Sequence, residues 1–150
     1  MTRLRSPLKQ RGAVTARWER WREHNRQIVQ RRAGYACESC HSNMRPLELA
    51  HLVGRNNKGI GEPWASCAEL TAALCSSGYG VVGCHQAIDR DLDPDLQKQL
   101  RQKALVMLML RFGQRFEGIS WSDPLDGIRE VVRVLEAEGW SWDGSEIVRL

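Results

Sequence analysis

The chain lacks any apolar run long enough to cross a bilayer. Its longest, Ala104 to Leu110, has seven residues, whereas a spanning helix needs about 20. The N-terminus is basic and carries no apolar segment of the signal-peptide kind, so export is not expected and a cytoplasmic location is. Internal repeats and extended low-complexity tracts are also missing, which excludes solenoid and linker-like readings. What remains is ordinary for a soluble globular protein: 42% hydrophobic and 27% charged residues in 150 positions, enough for one core or a small module with helical additions. Five cysteines in a chain without an export signal point to metal binding before disulfides.

Acidic residues are scarce at the start. Residues 1–32 hold ten Lys or Arg against Glu19 and Glu23, a net +8; since the whole chain carries +4, the remainder carries −4. A basic arm on a mildly acidic body is the footprint of phosphate-backbone contact. A solvated tail would look the same, so the arm alone decides little.

The pattern divides the chain into a basic arm and helix (1–33), a segment rich in Gly, Cys and His (34–92), and a helical extension (93–150). Residues 1–12, with Pro7 and Gly12, read as disordered. Val14, Trp18, Trp21, Ile28 and Val29 fall near one face of a helix running from Val14 to Arg32, and the two tryptophans are expected to pack on the body. Asp93-Pro94 starts a helix with Leu96, Leu100, Ala104 and Met107 on one stripe. Asp123-Pro124 starts another, carried by Ile128, Val131, Val132 and Leu135 and ended by Gly139. Asp143-Gly144 suggests the turn of a C-terminal hairpin. The fold class expected is α+β.

The chemistry lies in the middle. Cys37-Glu38-Ser39-Cys40 has the spacing of a zinc knuckle, whose turn aims two thiolates at one ion. Cys75 and Cys84 form a stretched second pair, with Gly78, Gly80 and Gly83 letting the intervening loop fold back. Cys67 is left over, either a buried thiol or a replacement for Cys75 or Cys84 as ligand. Cys37 to His41 also reads C-x-x-C-H, the attachment signature of c-type haem. That chemistry requires an exported protein and leaves the second pair unexplained, so zinc is preferred and His41 is expected on the knuckle surface.

Between the pairs, Leu47 to Leu52 alternates as a strand, with His51 near its end and a glycine- and asparagine-bearing loop after it, from Gly54 to Gly61. Thr71 to Cys75 is short enough to be the partner strand. Cys84 to Arg90 opens a helix on which His85 and Asp89, at i and i+4, face the same way and could bind one metal ion.

A cysteine pair, a strand ending in histidine, a glycine-bearing loop, Leu74-Cys75 and then Cys84-His85 on a helix resemble the HNH endonuclease family, with its ββα-metal core. The stretched loop before Gly83-Cys84-His85 and the Arg5-Ser6-Pro7-Leu8-Lys9 start are similar to small HNH proteins of phages and actinobacteria. The resemblance covers about residues 34 to 90. It implies a metal-dependent DNA endonuclease in which His51 is the general base toward the attacking water. His85, with Asp89 beside it, would hold a catalytic Mg²⁺, Mn²⁺ or another divalent cation. Cys37, Cys40, Cys75 and Cys84 would hold a structural Zn²⁺. DNA is the implied partner, and phage packaging or recombination proteins are further candidates. Arg17, Arg20, Arg31 and Arg32 of the arm, with Arg55 and Lys58 of the loop, are the candidate phosphate contacts. The zinc core is expected to fold without the arm.

Two positions depart from the family pattern. Ala50 stands where a metal-ligating Asp or His usually precedes the first histidine. Leu70, beside Glu69, stands where the family asparagine would orient the base; Asn56 and Asn57 lie closer to His51 but could serve. Glu48 shares a strand face with Ala50 and reads as a solvated residue that could supply a carboxylate. The alternative is a zinc-containing module that binds nucleic acid with little or no catalysis.

Overall fold

A computed structural model describes residues 13–53, 64–116, 122–144 and 146–150. The expected disorder of residues 1–12 and the loop carrying Arg55, Asn56, Asn57 and Lys58 fall outside these residues, as do the side chains of Arg17, Trp18 and Trp21. The protein is α+β. Helix α1 (Ala13–Arg32) leads to a hairpin of β1 (Leu47–His51) and β2 (Thr71–Cys75), with short 3-10 turns at Trp64–Ser66 and Ala68–Leu70 between the strands. Helices α2 (Cys84–Asp89), α3 (Pro94–Phe112) and α4 (Pro124–Ala137) follow, and a small hairpin of β3 (Trp140–Trp142) and β4 (Ile147–Arg149) closes the chain.

The β1–β2 pair is antiparallel, with Leu47 opposite Cys75 and His51 opposite Thr71. Backbone bonds from Leu52 to Leu70 (3.0 Å) and from Ser76 to Pro46 (2.9 Å) extend the ladder at both ends. Alternation gives the hairpin two faces. Glu48, Ala50, Ala72 and Leu74 share one; Leu47, Leu49, His51, Thr71, Ala73 and Cys75 share the other. All five residues of β2 are buried, because elements cover it on both sides. From α1, the buried Asn25 donates to Ser66 O (2.7 Å) and Thr71 Oγ1 (3.2 Å), joining the helix to the face of Thr71. From α2, His85 reaches Glu48 on the other face, and Ile88 enters the core.

Helix starts follow local chemistry. Asp93 and Asp123 each accept from a backbone N–H in the first turn (Leu96 and Leu125, both 3.0 Å) with proline at the first helical position. In α4 the expected residues Ile128, Val131, Val132 and Leu135 are the buried ones. In α3 the stripe differs from the expected one. Leu100 and Ala104 are buried, but they are joined by Leu105 and Leu108, and Met107 is only half-buried. The helix packs against α4 as well as toward the hairpin, so its apolar surface widens beyond a single stripe. One hydrophobic cluster runs from Cys37, Ala50 and Leu74 through Leu100 and Leu108 to Val131, Trp142 and Ile147. The core thus crosses the sequence boundary at 92/93. Among the described residues no helix is long and apolar enough to cross a membrane.

Candidate functional site

Four cysteines reach one point from three places in the fold. Cys37 and Cys40 flank the knuckle turn after α1, Cys75 ends β2 and Cys84 begins α2; their sulfurs all lie within 4.8 Å of one another. The Cys40 and Cys75 sulfurs are 3.8 Å apart. Two thiolates on a tetrahedral zinc with bonds of ~2.3 Å are separated by about that same distance, so the donor set fits Zn²⁺. Backbone amides support the sulfurs, Ser39 N–H toward Cys37 and Cys84 N–H toward Cys75, both at 3.4 Å. Burial pushes the Cys37 thiol up, but amides of Cys40, Cys75 and Ser39 outweigh it and draw it down to about 7. Burial pushes Cys84 up to about 12. Thiols crowded this closely cannot all ionise without a cation among them.

The knuckle is built by its backbone. Cys37 N–H bonds Ser42 O and His41 N–H bonds Cys37 O, both at 2.9 Å, and His41 closes the turn at φ +63°. Its ring is exposed and outside the thiol cluster. Inside the turn, Glu38 is a tie that the sequence does not announce. Its N–H donates to Ala73 O (2.9 Å) and its carboxylate accepts from Ala73 N–H (2.8 Å), binding the knuckle to the outer edge of β2. Arg32, at the end of α1, holds that carboxylate through two 3.0 Å bonds and donates to Ala68 O and Thr71 O at 2.7 Å. Arg32, although exposed, is therefore committed to contacts within the fold; Arg20 and Arg31 of the candidate phosphate contacts are exposed as well.

The second cluster lies on the α2 side of the hairpin. His85 Nδ1 is 2.6 Å from Glu48 Oε2, and His85 Nε2 is 3.2 Å from Asp89 Oδ2. These residues line a cleft of about 360 Å³ together with Ser77, Gln86 and Arg90. The i, i+4 placement of His85 and Asp89 comes from the helix, and the third member comes from β1. Glu48 is exposed, as the sequence suggests, and is also hydrogen-bonded. An alternating strand shows which residues share a face but not what sits 37 positions away.

His51 is placed differently. It ends β1 on the face opposite Glu48 and Ala50, half-buried, with Nε2 3.4 Å from Ser66 Oγ, and does not line the His85 cleft. Ala50 and Leu70 are fully buried core residues. Glu69 is held by Arg111 of α3 (2.6 Å). Cys67 is fully buried and outside the thiol cluster. Asn25 is a polar core residue that helical periodicity could not distinguish, and its Oδ1 has no hydrogen-bond partner among the described residues.

No protein-family model, curated protein or solved structure matches the chain.

Proposed function

We propose that this chain is a zinc-stapled, metal-dependent DNA endonuclease of the HNH type, in which β1, β2 and α2 form a ββα-metal core. The observation that carries the reading is the pairing of His85 Nε2 with the Asp89 carboxylate at 3.2 Å. It lies in an open polar cleft, one residue after a cysteine of the thiol cluster. The carboxylate oxygen suits Mg²⁺ or Mn²⁺ and the imidazole nitrogen suits transition-metal ions, so the pair is a mixed donor set for a divalent cation. A divalent cation there would neutralise phosphate charge and stabilise the leaving 3′ oxygen.

The protein's own groups supply the rest. His85 and Asp89 hold the cation, and the exposed arginines of α1 hold the DNA backbone by charge. The resemblance assigns to His51, which stands outside the cleft on the other hairpin face, removal of a proton from the attacking water as the new O–P bond forms and the P–O3′ bond breaks; solvent protonates the departing oxygen. Because His51 stands on the other hairpin face, its role is separable by substitution. His51→Ala is expected to abolish cleavage while zinc content, DNA affinity and Mn²⁺ affinity stay at the wild-type level. His85→Ala is expected to lower both Mn²⁺ affinity and rate. Wild-type cleavage by His51→Ala would remove the assigned base.

A second reading is favoured by a specific observation. Ala50 and Leu70, where the family places a ligand and an asparagine, are apolar core residues. A zinc module that binds DNA without cutting it would tolerate both. Undiminished binding with no cleavage in Mg²⁺ or Mn²⁺ would select it.

A further inference from the structure

Glu48 has no role in the reading above, yet its carboxylate lies 2.6 Å from His85 Nδ1. A neutral imidazole carries a single N–H. The Glu48 carboxylate, 2.6 Å from Nδ1, can only accept, so it takes that N–H. Nε2 is then left with its lone pair, facing a carboxylate oxygen of Asp89 at 3.2 Å. In a neutral ring two acceptors then face each other, which either a second proton on His85 or a metal cation resolves. Neighbouring ligands of an octahedral ion with bonds of ~2.1 Å lie about 3 Å apart, close to the spacing present. The two carboxylates flank opposite ring nitrogens, so Glu48 and Asp89 play different parts.

We propose that Glu48 is a positioning residue: it fixes His85 as the Nδ1–H tautomer and turns Nε2, with Asp89, into a two-ligand seat for a hard divalent cation. The proposal rests on the reading of a cation at His85. It gives β1 a part in the site although Ala50 offers no ligand, because Glu48 stands two residues earlier on the same strand face. Histidines that ligate metals commonly donate their other N–H to a carboxylate, which sets both tautomer and ring orientation.

The test uses the full chain with its zinc bound, Mn²⁺ alone as probe, and zinc content as the check on folding. Calorimetry or the spin resonance of free Mn²⁺ measures affinity for wild type, Glu48→Ala, Glu48→Gln and Asp89→Asn. Long-range nitrogen–proton NMR reads the His85 tautomer before Mn²⁺ is added, in mildly alkaline buffer. Wild type should bind one Mn²⁺ and show a proton on Nδ1 only. Glu48→Ala should lose about 10- to 100-fold in affinity and show a mixture of tautomers. Glu48→Gln, whose amide oxygen still accepts from Nδ1–H, should stay within a few-fold of wild type, and Asp89→Asn should bind weakly with the tautomer unchanged. Wild-type affinity and tautomer in Glu48→Ala would overturn the proposal and leave the cation reading standing. Wild type that binds no Mn²⁺, or carries protons on both His85 nitrogens, would overturn both.

Discussion

Gly83 stands where the start of α2 lies tightly against the end of β2. Its φ of −76° suits any residue, so what matters is space: a Cβ there would collide with the backbone carbonyls of Cys75 and Ser76. Relief requires moving either β2's last residue or the start of α2, and both carry ligands. Gly83→Ala is therefore expected to lose retained zinc, measured by elemental analysis after gel filtration, while Gly78→Ala, with open space around it, keeps one ion per chain. Cys67 gives the opposite case. Burial pushes its thiol up and Glu69 adds to the effect, so it stays neutral and inert. Iodoacetamide should leave Cys67 unlabelled in the native protein and label it only on unfolding; native labelling would show the site to be open. Spacing marked Cys67 as the odd cysteine but left it open as a replacement ligand; the fold, which brings together the other four, decides the point. The bond made by Glu48 was not legible, because a strand residue with a polar partner has the same alternation as one facing water.

Among the elements, β1, β2, α2 and α4 could be read directly. β1 alternates with period two and α4 follows 3.6 between Asp-Pro and glycine, while β2 is placed by its shortness and α2 by the i, i+4 pair His85 and Asp89. Helix α3 could be placed but not oriented, because it packs on more than one neighbour. The junction of α1 with the knuckle was illegible: Arg32 and Glu38 lie only six positions apart, separated by a turn, and either reads alone as a solvated charge. Together they leave 26% and 19% of their side chains exposed. Arg32→Ala would strip donors from the Glu38 carboxylate and from the Ala68 and Thr71 carbonyls. A loss of about 2 kcal/mol is expected in urea unfolding. The Arg133–Glu130 pair has comparable geometry (2.6 Å) on the exposed side of α4, and Arg133→Ala should leave the midpoint unchanged. Equal effects of the two substitutions would deny Arg32 its special place.

Across the whole molecule, one core joins the cysteine-rich segment to the C-terminal helices, and α1 contributes the buried Asn25 and Val29 to the interior. The sequence suggested that residues 1–32 could be removed without harm; the structure allows this only for the part before the buried positions. Deleting residues 1–17 removes Arg3, Arg5, Lys9, Arg11 and Arg17 and should preserve the zinc and the fold. DNA binding should weaken, with the salt slope falling by about one unit for each cation that contacts phosphate. An unchanged slope would assign those charges to solubility, and deletion through residue 32 should unfold the chain. The central claim is that this scaffold hydrolyses DNA at the His85–Asp89 cleft. Its most direct test is supercoiled plasmid incubated with zinc-loaded protein, with and without added Mn²⁺ or Mg²⁺, wild type beside His85→Ala. The account predicts nicked or linear DNA only with the added cation, and a rate at least about tenfold lower in the variant, as for a lost metal ligand. Plasmid that is bound yet stays supercoiled with either cation, or is cut equally well by His85→Ala, would contradict it.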